Sequence, residues 1–155
     1  MPKATEDFLS RLHREYLKPR GYKKSRHTFS RDCGAFTERF QLQGSAWNEA
    51  SGPWRFYVNV GVEFHDVPPR KPARGFPGTH CWTRIENLVP GAPVEYDLPL
   101  ADQDAFAAAV SGYVKAASER LASGIGGVRS AYDESPTPQL SLANQHIVSR
   151  PARTV

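Results

Sequence analysis

The sequence predicts an α+β fold: an antiparallel sheet of four or five strands with an N-terminal and a C-terminal helix packed on one face. Three observations carry this expectation. Several stretches alternate apolar and polar residues with period two, they follow one another without an intervening helical stretch, and an amphipathic helical pattern stands at each end of the run. A doubly wound parallel sheet needs helices between its strands and is excluded. At 155 residues the chain is the size of one ordinary domain. The expected division is a single α+β domain over residues 1–134 and a loosely ordered or disordered tail over 135–155, where few aromatics and no sustained period remain.

The first helix is read from Phe8, Leu9, Leu12, Tyr16 and Leu17, which fall on one helical face, with Thr5 as its expected N-cap. It should stop near Lys18, because Pro19 disfavours helical geometry in the residue before it and Gly21 suits the turn beyond. A poorly patterned strand is expected over residues 22–31, then turn chemistry at Asp32, Cys33 and Gly34. Residues 35–43 follow, alternating Phe36, Glu38, Phe40 and Leu42 against Thr37, Arg39, Gln41 and Gln43.

After a loop containing Asn48, Glu49, Gly52 and Pro53 comes the clearest strand. Trp54, Phe56, Val58, Val60, Val62 and Phe64 share one face, and Arg55, Tyr57, Asn59, Gly61 and Glu63 the other. Residues 65–80 are rich in Pro and Gly and read as a long irregular loop, of the kind that is either functional or disordered. Two shorter strands, 81–88 and 94–98, flank a Pro-Gly turn and read as a second hairpin. Asp102 then caps a helix carrying Phe106, Val110, Tyr113, Val114, Ala117 and Leu121 on one face, stopped by the glycines of residues 124–127.

A mean hydropathy of -0.53 and the absence of any apolar run near the roughly 18 residues that cross a bilayer give no expectation of a membrane segment. Lys3, Glu6 and Asp7 stand where a signal peptide needs an apolar stretch, so a cytoplasmic location is expected. Two cysteines, Cys33 and Cys81, are too few for the framework of a small secreted protein and are expected to remain thiols.

The ordered set formed by the first helix, "GYKK" at residues 21–24, "FQLQGSAW" at 40–47, "RFYVNVGV" at 55–62 and "CWTRIENL" at 81–88 resembles a bacterial family catalogued as domain of unknown function 4304. The resemblance covers roughly residues 8–121. It implies a small domain with no established activity and no catalytic residues to carry over.

Function must therefore be sought in the residues. With Phe40, Val58 and Ile85 pointing inward, Arg39, Gln41, Gln43, Tyr57, Asn59, Trp82, Arg84 and Glu86 share the opposite face of neighbouring strands. A wet second face is ordinary in antiparallel sheets. Gln and Asn are poor strand formers, however, and amides beside an arginine fork and a tryptophan plane suit recognition of another polar surface. The leading expectation is a non-catalytic module binding a protein partner through Gln41, Gln43, Tyr57, Asn59, Trp82 and Arg84.

The second reading is a nucleic-acid-associated protein. The net charge is +4 with pI near 9.2, and basic residues crowd residues 11–31, where Glu15 is the sole carboxylate. Lys23, Lys24 and Arg26, with Arg70, Lys71 and Arg74 of the loop, would supply phosphate contacts, but no groove-reading helix or stacking motif accompanies them.

Catalysis finds no local signature. His27, Cys33, His65, His80 and Cys81 lack paired metal-ligand spacing, and the glycines at 124–127 follow a helix instead of opening one. Asp102 and Asp104 are explained by the helix dipole, and Glu63, Glu86 and Glu95 are isolated carboxylates. No cofactor or metal is expected, and an enzyme whose site is assembled from residues distant in sequence is the third reading.

Overall fold

The computed structural model describes residues 2–49, 52–69, 75–136 and 138. Helix α2 ends at Glu134, and the greater part of the expected tail, residues 139–155, lies outside the described residues.

Helix α1 spans Lys3–Arg11, and its course continues through a π turn at Leu12–Leu17 and a 3-10 turn at Lys18–Arg20. Pro19 enters at the start of that last turn, where its missing N–H breaks no bond, and Gly21 at φ 94° ends the helix in the left-handed conformation. Thr5 is not the cap. The Pro2 carbonyl accepts the amides of Thr5 and Glu6, so the helix starts earlier, and Thr5 is buried one turn inside it.

The strand expected over 22–31 is two strands, β1 at Lys23–Ser25 and β2 at Thr28–Asp32, folded on each other by a turn in which Arg26 takes φ 54°. β3 at Phe36–Gly44 and β4 at Arg55–Phe64 form the long central pair. Their register sets Phe36 opposite Phe64, Phe40 opposite Val60 and Leu42 opposite Val58, so apolar meets apolar on one face, with Glu38 opposite Val62 as the charged exception.

β5 is Cys81–Arg84 and passes into a 3-10 turn at Ile85–Asn87, while β6 is only Tyr96–Asp97. They are not a hairpin. Both pair antiparallel with the far edge of β4, β5 against Asn59 to Val62 and β6 against Arg55 and Phe56. A ten-residue strand has room along one edge for two short partners end to end. The order is β1-β2-β3-β4-β5 with β6 also on β4, giving six antiparallel strands among the described residues.

Helix α2 spans Gln103–Glu134 and runs straight through the glycines expected to stop it. Each glycine costs a helix about 1 kcal/mol against alanine. Burial of Leu121, Gly124 and Val128 against the sheet supplies the compensation, as tertiary packing generally outweighs propensity. Asp102 precedes the helix at φ 56° and makes no side-chain cap bond, so its expected capping role is not realised.

Both helices cover the same face of the sheet. Phe56 is at the centre of the packing, with ring centroids of Trp54 at 4.8 Å, Tyr96 at 5.1 Å, and Phe8 and Phe106 each at 6.1 Å. One side chain thus joins α1, α2, β4 and β6. Phe56→Ala is expected to lower unfolding free energy by about 3 to 5 kcal/mol, measured by chemical denaturation, whereas replacing the exposed Val94 should change it by less than about 0.5 kcal/mol.

Candidate functional site

The face of the sheet turned away from the helices carries the residues singled out from the alternation. Register places Gln41 beside Asn59 and Asn59 beside Arg84, with Gln43 beside Tyr57 and Trp82 beside Gly61. All six residues of the expected binding set therefore lie on one surface of three neighbouring strands. Glu86 leaves the strand for the 3-10 turn that follows β5.

Asn59 is the centre of this surface. Its Nδ2 donates to Oε1 of Gln41 at 2.8 Å and to Oε1 of Gln43 at 2.9 Å. Both amide hydrogens are thereby used, and the glutamine carbonyls are held inward. The side chain is only 2% exposed, yet its Oδ1 finds no hydrogen-bond donor among the described residues. Arg84 lies with Cζ 4.3 Å above the Tyr57 ring, and its Nη1 and the Oε1 of Glu86 are likewise buried without partners among the described residues. Buried polar atoms are nearly always paired in folded proteins, so the two at Asn59 and Arg84, neighbours across β4 and β5, mark this face as unusual.

One end of the face is roofed. Residues 75–80 cross over Gly61, where a side chain would collide with Thr79, and over Trp82, whose indole Nε1 lies against the backbone of Gly75 at φ 103°. Arg39 clamps this cover: Nη2 donates to Glu63 at 2.6 Å, Nη1 to Ser30 Oγ at 2.8 Å and Nε to the Gly78 carbonyl at 3.1 Å. The other end, around Gln41, Gln43, Tyr57, Asn59 and Arg84, has no helix over it among the described residues. Trp47, 85% exposed, stands in the β3–β4 connection beyond that end.

The basic set is divided. Lys23, Lys24 and Arg26 are exposed on the β1–β2 hairpin at the outer edge of the sheet, where charge also guards an edge strand against pairing. Arg70, Lys71 and Arg74 lie outside the described residues.

A second polar assembly sits on the helix side, and it turns on Glu38. This residue is in phase with Phe36, Phe40 and Leu42, so β3 directs a carboxylate into the core, where it is 1% exposed. Tyr22 donates to Oε2 at 2.6 Å, while Oε1 accepts from Ser118 of α2 at 2.9 Å, from Cys33 Sγ at 3.2 Å and from Arg31 at 3.2 Å. Arg31 also donates to Ser118 and stacks 4.7 Å from the Tyr22 ring. Burial works against the Arg31 charge, but Glu38 and Tyr22 outweigh it and the guanidinium is held more firmly protonated. Burial, and then Glu38, raise the Tyr22 phenol, and the same causes push the Cys33 thiol up to about 11. Cys33 is thus a neutral donor at ordinary pH and a poor nucleophile.

The sequence reading passed over Glu38, although the signal was there: a lone charge on the apolar phase of a strand. Beside it opens a cleft of about 1010 Å³ between the β2–β3 turn, the end of β4 and α2, with Phe36 and Phe64 among its walls. Among the described residues no three His, Cys, Asp or Glu side chains are grouped so as to hold a metal ion, and no helix is long and apolar enough to cross a membrane.

Two outcomes test the cluster. Glu38→Ala should cost about 2 to 3 kcal/mol, because donors from Tyr22, Arg31 and Ser118 lose their acceptor, whereas Glu38→Leu combined with Arg31→Met should come within about 1 kcal/mol of the parent in the same denaturation assay. At about pH 8, iodoacetamide should modify Cys33 about a hundredfold more slowly than a free thiol, as followed by mass spectrometry, and Glu38→Gln should accelerate it.

No curated protein and no solved structure matches the chain. The model of one family, described as "Domain of unknown function (DUF4304)", matches residues 13–121, from the π turn after α1 to the middle of α2, and with that match over more than half its length the chain belongs to this family.

Proposed function

We propose that this domain is a non-catalytic binding module that takes a protein partner on its polar sheet face, through Gln41, Gln43, Tyr57, Asn59 and Arg84, with Trp82 at the margin where the 75–80 segment crosses. The observation that supports the reading is that Asn59 and Arg84, register partners across β4 and β5, each carry a buried polar atom, Oδ1 and Nη1, without a partner among the described residues. One is an acceptor in want of a donor, the other a donor in want of an acceptor. A peptide group offers both at once, and pairing them would recover hydrogen bonds worth about 1 kcal/mol each, more where Arg84 is concerned.

The chemistry around them fits the same partner. With both glutamine carbonyls turned to Asn59, the Gln41 and Gln43 Nε2 groups remain as outward donors. Tyr57, Arg84 and the exposed Trp47 are the residue types that dominate protein interfaces. Trp82 has a different part: held under the 75–80 segment, it sets the wall at which the open surface ends.

The test is a capture experiment with the tagged full chain and lysate of its own host, with and without nuclease. A stoichiometric protein retained after nuclease is expected, and retention should fall about tenfold or more in both Arg84→Ala and Gln43→Ala, while their thermal midpoints stay within a few degrees of the parent. Retention should be little changed by salt or by removing Lys23, Lys24 and Arg26 together. Retention that ignores both face substitutions, or that disappears with nuclease, would sink the proposal.

A further inference from the structure

Helix α1 and the β1–β2 hairpin enclose another cleft, of about 490 Å³, lined by Glu6, Leu9, Ser10, Lys24, Arg26 and His27. It takes no part in the function proposed above, which uses the other face of the sheet. Register decides which basic residues of the hairpin reach it. Lys24 pairs with Phe29 and Phe29 with Phe40, both wholly buried under the helices, so Lys24 leaves β1 on the helix side. Lys23 pairs with Ser30 and Ser30 with Arg39, so it leaves on the polar side. On α1, Glu6, Leu9 and Ser10 follow at spacings of three and four and line the cleft as one stripe.

Arg26 holds an unusual place. With His27 it forms the two-residue turn between the paired Ser25 and Thr28, and it takes φ 54°. Glycine or asparagine ordinarily fills the first central position of a hairpin turn at positive φ. An arginine there gives up backbone ease for a guanidinium in the lining of a cleft, and residues held in such conformations cluster where ligands are clamped. The charge is not spent inside the protein. Among the described residues neither Lys24 nor Arg26 has an ion pair, Glu6 bridges to neither of them, and the Ser10 hydroxyl has no hydrogen-bond partner. His27 is a fixed wall, its Nδ1 3.3 Å from the Leu42 carbonyl and its ring edge-on to Trp54 with centroids 5.7 Å apart.

From this lining we infer that the cleft is a binding site for the dianionic phosphate of a small phosphomonoester, clamped between Lys24 and Arg26 with the Ser10 hydroxyl as a further donor. A guanidinium fork and an ammonium group give charge-assisted hydrogen bonds to the three terminal oxygens that a monoester offers and a diester lacks. The volume falls within the roughly 300–1,000 Å³ common for small-molecule sites. Leu9 is the one apolar side chain of the lining, so the body attached to the phosphate is itself small and polar. Glu6 faces the same space and opposes any anion, which lowers affinity without removing the excess of positive charge.

The probes are methyl phosphate and dimethyl phosphate, titrated at fixed ionic strength and about pH 7.5, where the monoester is dianionic, into the isotope-labelled full-length protein, with the backbone amide shifts followed by NMR. Methyl phosphate is expected to give saturable shifts at residues 6–10 and 24–27, with a dissociation constant on the order of 1 mM, about tenfold tighter than dimethyl phosphate. Arg26→Gly removes the guanidinium and relieves the backbone together, so binding should fall about tenfold while the thermal midpoint holds or rises. Lys24→Gln should weaken methyl phosphate about fivefold, and Glu6→Gln should strengthen it about threefold. Dimethyl phosphate binding as tightly as methyl phosphate, or binding that both Arg26→Gly and Lys24→Gln leave unchanged, is the pattern of general attraction between anions and a chain of net charge +4 and would overturn the inference. So would shifts that do not saturate or that arise elsewhere in the chain.

Discussion

The pairing of β3 with β4 is the constraint from which the rest of the structure follows. From Phe36 opposite Phe64 to Gly44 opposite Phe56 the two strands run in one unbroken register. A slip of one residue would turn every phenylalanine and valine of β4 into water, so the register is strongly determined. Once it is set, one face must be covered, and α1 and α2 cover it, their side chains meeting at Phe56. The other face is left for Gln41, Gln43, Tyr57 and Asn59, and β5 joins it by adding Trp82 and Arg84.

Each face then contains one departure from the simplest arrangement. On the covered face, Glu38 occupies a position where leucine would pack. A buried ion pair of this kind seldom adds net stability, since desolvation of both charges offsets their attraction. What it does is tie β3 to β2 through Arg31, to the segment after the first helix through Tyr22, and to α2 through Ser118. An apolar residue there would accept many neighbouring arrangements. Four donors converging on one carboxylate accept few, which fixes where α2 crosses the sheet and so shapes the cleft beside it.

On the uncovered face the departure is the reverse. Polar groups that could have been solvated are buried among themselves, and Asn59 Oδ1 and Arg84 Nη1 are left without partners among the described residues. The two halves of the face are treated differently: Arg39 fastens the 75–80 segment over Gly61 and Trp82, whereas among the described residues the Asn59 end has no such clamp. Among the described residues, one sheet surface thus has a part crossed by the 75–80 segment and a part that is not, and the second holds the buried Asn59 and Arg84 atoms without partners.

Alternation alone determined which face of β4 is apolar, and composition with helical spacing determined the two helices and their place on that face, because these are properties of residues within a turn or a strand of one another. The polar set Gln41, Gln43, Asn59 and Arg84 was legible for the same reason: once strands are antiparallel neighbours, in-phase residues must share a side. Tertiary structure alone decided that α2 continues through its glycines, that β5 and β6 each join β4 and not each other, and that Thr5 lies within α1. In each case the outcome depends on partners distant in sequence, whose burial outweighs the local preference of about 1 kcal/mol that a sequence displays. Glu38 is the intermediate case. Its position in the alternation announced an inward carboxylate, but only the fold could bring Tyr22, Arg31, Cys33 and Ser118 to meet it.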